Sequence, residues 1–245
     1  MPRSGSTWAF NVIRLLLQGR SSSVMPEFII RNEADYIKIA NRVTAKPRRD
    51  SDPIWLFKTH LRLGGSLPGA QLIYTHRDPR DVLISFQRFM RCNFDRALAE
   101  VVEMTATCDH YRSVVHVPKL DLDYRDIVAD PHGAIARIAR HIRVDAAPAE
   151  IETLARNLSK PAVQSIIAAC EAKLSALADA NQPVPSELYS INADGSARAF
   201  DPVTGFQSRH VSDYGDGDWS RLLSPDQLRQ MEARLGPWLE ANGYA

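Results

Sequence analysis

Leu72-Ile73-Tyr74-Thr75-His76-Arg77-Asp78-Pro79-Arg80-Asp81-Val82-Leu83-Ile84-Ser85-Phe86 is an apolar run, then an arginine, then a helix start, with a serine eight positions after the arginine. The first half reads as a strand over 71–76, rich in residues that fit a pleated surface. Asp78 is placed to cap the helix that follows, and Pro79 suits its first turn. Val82, Leu83, Phe86, Phe89 and Met90 give that helix an apolar face. A strand that feeds directly into a helix is the unit of an α/β fold.

The same alternation recurs along the chain. Further strands are expected over 54–59 and 117–123, and helices over about 95–115, 148–158 and 161–179. A second Asp-Pro start, Asp130-Pro131, precedes Ile135, Ile138, Ala139 and Ile142 at helical spacing. Ser224-Pro225-Asp226-Gln227 is a capping box that opens a C-terminal helix, which Gly236-Pro237 is expected to kink or divide. The Pro-, Asn-, Asp- and Gly-rich stretch from about 181 to 217 shows little periodicity and reads as a long functional loop. The fold class is therefore α/β, a parallel β-sheet flanked by helices, in a single domain spanning 1–245.

The N-terminus carries Pro2-Arg3-Ser4-Gly5-Ser6-Thr7-Trp8 and then the apolar run Val12-Ile13-Arg14-Leu15-Leu16-Leu17. Small residues let backbone N–H groups close around an anion at the positive end of a helix. Ser4, Ser6 and Thr7 add hydroxyls, and Arg3 adds a fixed charge. The loop lacks the Lys-Ser/Thr pair that closes a nucleoside-triphosphate loop. A plain Ser/Gly turn capping a helix is the alternative for the loop taken alone. Ile54-Trp55-Leu56-Phe57-Lys58-Thr59-His60 is a second apolar run, ending in Lys-Thr-His.

Loop, Lys-Thr-His and Arg-to-Ser segment, in this order, resemble the sulfotransferase family that uses 3′-phosphoadenosine 5′-phosphosulfate. Arg209-His210 followed by Gly217-Asp218-Trp219 adds a looser match. The resemblance implies a phosphate-loop sulfotransferase fold and sulfuryl transfer to a hydroxyl-bearing acceptor, a small molecule or a glycan. It assigns His60 as general base, Lys58 to the transferring group and Arg3 to the leaving phosphate. It places the 5′-phosphate region on Arg3, Ser4, Gly5, Ser6 and Thr7, and the 3′-phosphate on Arg77 and Ser85. Trp8 and Tyr124 resemble the residues beside the adenine, and Arg209 resembles the arginine that closes over the 3′-phosphate. Arg3 stands where many members carry lysine, and a guanidinium grips oxyanions bidentately without giving up a proton. The family sheet has a strand before the loop. Only Met1 precedes Pro2 here, so a sheet lacking that first strand is expected, and with it a second reading as a truncated or inactive nucleotide-binding relative. A small-molecule kinase on a phosphate-loop fold is the third reading.

Composition narrows the classes. The 245 residues carry a net charge of +1, which gives no global case for nucleic acid or an anionic membrane. Any anion site must be built locally. Cys92, Cys108 and Cys170 are three and far apart, against a disulfide scaffold or a metal-binding pair and in keeping with a reducing compartment. No bilayer-crossing run or secretory pattern is read, so a soluble cytoplasmic protein is expected. Cationic side chains can neutralise a leaving phosphate, so no metal is called for. The acceptor and the oligomeric state are not specified. Loops over about 20–50 and 181–215 are where an acceptor pocket is expected.

Overall fold

The computed structural model describes residues 1–20, 24–26, 38–39, 42–43, 52–62, 69–114, 117–212 and 214–245. Most of the expected acceptor loop over 20–50, including the basic run 46–49, lies outside the described residues.

Among the described residues, α1 (Ser6–Leu17) follows the N-terminal loop, and two-residue strands β1 (Val24–Met25) and β2 (Ile54–Trp55) pair in parallel. The strand expected over 54–59 is thus short. Leu56 adds one more backbone bond to Met25, and the chain then runs on without a strand partner. β3 (Leu72–His76) leads into α2 (Pro79–Met90) and α3 (Phe94–Ser113), and β4 (Lys119–Asp123) pairs with β3 in parallel. Four helices follow: α4 (Tyr124–Ala129), α5 (Pro131–His141), α6 (Pro148–Asn157) and α7 (Lys160–Asp179).

The alternation in β3 and β4 explains how the layers assemble. Ile73 pairs with Leu120 and Thr75 with Leu122, so these side chains share one face. That face packs with Val12 and Leu16 of α1 and Ile135 and Ile138 of α5 in one apolar cluster. The opposite face carries Tyr74, His76, Asp121 and Asp123. There Tyr74 donates to Asp121 at 3.0 Å, Arg112 of α3 reaches the same carboxylate at 3.3 Å, and His76 lies 3.0 Å from its other oxygen. His76 Nδ1 also meets the Tyr244 hydroxyl at 2.9 Å. A second apolar cluster joins α2, α3 and the C-terminal helix through Val82, Leu83, Val101, Met231, Leu235 and Leu239.

The helix starts follow the sequence. Asp78 accepts from the Arg80 N–H, Asp130 from the Gly133 N–H, and both bonds of the Ser224–Gln227 capping box form. Two expectations are narrowed. The C-terminal helix, α9 (Pro225–Ala241), following the short α8 (Trp219–Leu222), is not divided at Gly236-Pro237. Buried Leu235, Trp238 and Leu239 hold it on both sides of the missing N–H. The stretch 181–217 is not all loop either: β5 (Tyr189–Ile191) and β6 (Ala197–Ala199) form an antiparallel hairpin. Its turn contains Asp194-Gly195, with Gly195 at φ +81°, a conformation glycine enters without a Cβ penalty.

The strands do not form one continuous sheet among the described residues, but three pairs. The Leu72 N–H is spent on Pro118 beside β4, so by alternation the Thr75 carbonyl points to the other edge of β3. The Met1 amino group donates to that carbonyl at 2.7 Å, and the Ser4 hydroxyl reaches it at 3.0 Å. The loop is thereby fixed to the edge of β3.

Burial works to raise the Asp121 carboxyl, but hydrogen bonds from His76 and Tyr74 and the charges of His76 and Arg112 outweigh it and hold the carboxyl below its ordinary value. A depressed carboxyl contributes stability above the unfolded value, near 3.9 for Asp, and loses it as pH falls through the folded value. Asp121→Asn is expected to destabilise the protein by about 1–2 kcal/mol at pH 7, a modest figure because the side chain is partly exposed. In urea unfolding, the gap between wild type and variant should close below about pH 4.

Candidate functional site

The loop before α1 turns tightly. Arg3 sits at φ +61° and Gly5 at φ +85°, and Gly5 is the N-cap with no side-chain cap above it. The Ala9 N–H already reaches the Gly5 carbonyl, which leaves the first N–H groups of α1 pointing out of the helix end. A Cβ on Gly5 would meet Ile127 Cδ1 at 3.0 Å and Tyr124 Cδ2 at 3.3 Å. Glycine is required there for its backbone angle and for the close approach of α4.

Three cations converge on this loop. The Arg3 guanidinium donates through Nε to Ser85 Oγ at 2.9 Å and through Nη2 to the carbonyls of Arg209 and His210, each at 3.1 Å. It lies 4.5 Å from the Phe89 ring centre. These partners are all neutral. Burial and then the nearby Arg77 pull the Arg3 pKa down to about 9. Lys58 is pulled down to about 8, by burial and then by Arg3. Charges of one sign crowd together where an ordinary protein interior would pair them.

Arg77 leaves the end of β3 almost fully buried, at 5% exposure. Its guanidinium lies 4.4 Å from the centre of the Tyr124 ring. Its Nε donates to Asp216 Oδ1 at 3.0 Å, and its Nη2 stands 2.8 Å from the same oxygen. Ser85 is buried two turns into α2, and its hydroxyl takes the Arg3 bond. Asp81 is not the surface charge its sequence position suggests. It is 5% exposed and accepts the Gly217 N–H at 2.9 Å, which ties the C-terminal segment to α2.

His60 Nε2 lies 3.3 Å from Lys58 Nζ. The ring is open to solvent, yet the surrounding protein, Lys58 and the chain amino group push its pKa well below the ordinary value, in that order. His60 is therefore neutral at physiological pH, the form that can accept a proton.

The structure thus brings together Arg3, Lys58, His60, Arg77, Ser85, Gly5 and Tyr124, with Ser6 and Thr7 opening α1. Other residues stand differently. The Ser4 hydroxyl is fully buried against Thr75, so only its backbone faces the loop. Trp8 packs on the apolar cluster beneath α1. Arg209 offers its carbonyl to Arg3, while its guanidinium is held by Asn192 at 2.7 Å.

His210, by contrast, belongs to the cluster. Its ring stacks on Phe89 at 5.0 Å, and its Nδ1 accepts the Gln207 N–H, which leaves the proton of the neutral ring on Nε2. Burial, then Arg3 and Lys58, hold its pKa well below the usual range. Arg198 lies 4.1 Å from the same Phe89 ring. His210 falls in the looser Arg209-His210 match, whereas no motif marks Arg198; the fold carries both to Phe89. Among the described residues no group of His, Cys, Asp and Glu is arranged to hold a metal ion, and no helix is long and apolar enough to cross a membrane.

The loop at the start of α1 thus gathers N–H groups and cations, with a lysine–histidine pair beside it. The sequence profile of the sulfotransferase domain matches residues 1–178, and the chain belongs to that family of transferases. The mouse sulfotransferase SULT7A1 complexed with PAP superposes with a TM-score of 0.61 at 15% identity, covering 98% of this chain and 81% of that one. Retinol dehydratase in complex with androsterone and the inactive cofactor PAP gives 0.58 at 18% identity, over 97% of this chain and 78% of that one. At such identities the likeness is one of fold. Among curated proteins, no sequence matches the chain.

Gly5→Ala is expected to lower stability by about 1–2 kcal/mol, because an L-residue is strained at φ +85° and its methyl meets Ile127 and Tyr124. Chemical denaturation measures the loss, and wild-type stability in the variant would contradict the geometry.

Proposed function

We propose that the chain transfers a sulfuryl group from 3′-phosphoadenosine 5′-phosphosulfate to a hydroxyl on a small-molecule acceptor. The observation that carries this reading is the crowding of Arg3, Lys58 and Arg77 at the loop beside a neutral His60. Such a centre takes a ligand with several negative charges and offers a base next to it. The family match and the PAP bound in both structural relatives support the same choice.

The bound nucleotide supplies an SO₃ unit on a phosphate leaving group. The N–H groups of Gly5, Ser6 and Thr7 hold the 5′-phosphate region, and the Ser4 backbone shapes the turn. Arg3 lies against the loop and neutralises charge gathering on the leaving phosphate. Arg77 and Ser85 hold the 3′-phosphate, and Tyr124, beneath Arg77, braces that seat. Lys58 contacts the transferring group. His60 takes the acceptor proton through Nε2, once Lys58 turns from it to the ligand. Arg209 as a nucleotide ligand requires its guanidinium to leave Asn192. Trp8, set in the packing under α1, contributes to the adenine site by its ring edge. One structural relative holds androsterone, a hydroxyl-bearing small molecule, which favours acceptors of that class over glycans.

Thermal unfolding and a transfer assay on wild type and His60→Ala together test the reading. 3′-Phosphoadenosine 5′-phosphate should raise the Tm of both proteins, and ATP with Mg²⁺ should not. Transfer should fall at least about 100-fold in the variant. Stabilisation by ATP alone would point to a kinase, and a fully active variant would remove His60 as the base.

A further inference from the structure

Arg77, the residue assigned above to the 3′-phosphate, is already paired. Its Nε and Nη2 both engage Asp216 Oδ1, at 3.0 and 2.8 Å, and Nη2 lies 3.5 Å from the Gly215 carbonyl. The buried Asp81 carboxylate is farther, at 3.7 Å. Of the two carboxylates near Arg77, Asp216 is the accessible one, with its side chain 35% exposed against 4% for Asp81 and 6% for Arg77 itself. It stands between Gly215 and Gly217, within the residues that separate Arg209-His210 from Gly217-Asp218-Trp219. The loop is anchored on both sides of Asp216. The Gly217 N–H is fixed to Asp81, and the Gly215 N–H to Asp218 at 2.8 Å. The carboxylate can therefore swing out while the loop stays in place, and Gly217 at φ +84° adds backbone freedom.

We propose that Asp216 occupies the 3′-phosphate seat as an anionic stand-in that the nucleotide must displace, and so sets affinity and selectivity for 3′-phosphorylated ligands. This rests on the reading of Arg77 as the 3′-phosphate ligand. A buried guanidinium left unpaired is costly, and Asp216 relieves that cost in the free protein. A 3′-phosphate, with more charge and more acceptor oxygens than one carboxylate, wins the exchange. The displaced carboxylate then faces the bound phosphate across the cleft rim, which weakens binding and speeds release of the bisphosphorylated product. A nucleotide without a 3′-phosphate leaves the Arg77–Asp216 pair intact and is indifferent to it.

Calorimetric titration of wild type, Asp216→Asn, Arg77→Ala and the double variant with 3′-phosphoadenosine 5′-phosphate, and with adenosine 5′-phosphate, tests this. Asp216→Asn should tighten the bisphosphate by about five- to tenfold and slow its dissociation by a similar factor. It should change adenosine 5′-phosphate affinity by less than about twofold. Arg77→Ala should weaken the bisphosphate, and adding Asp216→Asn to it should tighten binding by clearly less than the same change does in the presence of Arg77. Unchanged or weaker bisphosphate binding in Asp216→Asn, with Arg77→Ala still impaired, overturns the stand-in and keeps the Arg77 assignment. Equal tightening of both ligands also overturns it, as an unspecific charge effect. Full bisphosphate affinity in Arg77→Ala overturns both. A thermal melt of Asp216→Asn, expected to stay cooperative at a Tm a few degrees below wild type because Arg77 loses its charged partner, shows that the variant is folded.

Discussion

Repulsion among like charges at one helix start governs the site. Arg3, Lys58 and Arg77 are gathered by separate segments: the N-terminal loop, the extended stretch after β2 and the end of β3. Folding buries them side by side, and burial first, then the neighbouring positive charge, lowers the pKa values of Arg3 and Lys58. The α1 N-terminus adds its own positive end. The protein satisfies the guanidinium of Arg3 with neutral oxygens of Ser85, Arg209 and His210, and that of Arg77 with Asp216. The cleft is therefore strained toward accepting an anion with more than one charged group. Burial first, and then the same positive charges, lower the pKa values of His60 and His210 and keep both rings neutral.

The family profile ends at residue 178, yet the later residues complete the site. Carbonyls of Arg209 and His210 hold Arg3, the His210 ring covers Phe89, and Asp216 occupies Arg77. Asp81 and the Gly217 N–H fasten this segment to α2. The C-terminal part acts as a strap over the loop, with its contacts made to Arg3 and Arg77 themselves. Substitution of Arg for Lys at position 3 has a physical meaning in this light. A lysine concentrates its three donors on one nitrogen, whereas the guanidinium fork reaches Ser85 through Nε and both strap carbonyls through Nη2.

Much of this was legible in the sequence. Strand-to-helix passage at 72–90 and the Asp-Pro starts are local signals, and the capping bonds form as those signals require. The motif order brought Arg3, Lys58, His60, Arg77 and Ser85 into view because each belongs to a short pattern of fixed spacing. The rest depends on tertiary placement. The hydroxyl of Ser4 turns into the β3 edge, and the guanidinium of Arg209 turns to Asn192, because local sequence does not fix where a side chain finds its best partner. Asp216 and His210 gain their roles from the path of the strap. The hairpin at 189–199 was hidden because its strands are short, although the Asp194-Gly195 turn was present. Continuity of α9 through Pro237 reflects burial on either side, a tertiary override of a local breaker.

The central claim, a cationic cluster strained until an anion arrives, is tested most directly by NMR titration of the Lys58 side chain, assigned by Lys58→Arg, with and without 3′-phosphoadenosine 5′-phosphate. In the free protein the ammonium should titrate near 8. With the nucleotide bound, opposite charge should move it up toward the ordinary lysine value, near 10.4. A free-protein value already near 10.4, or one that saturating nucleotide leaves unmoved, would contradict the account.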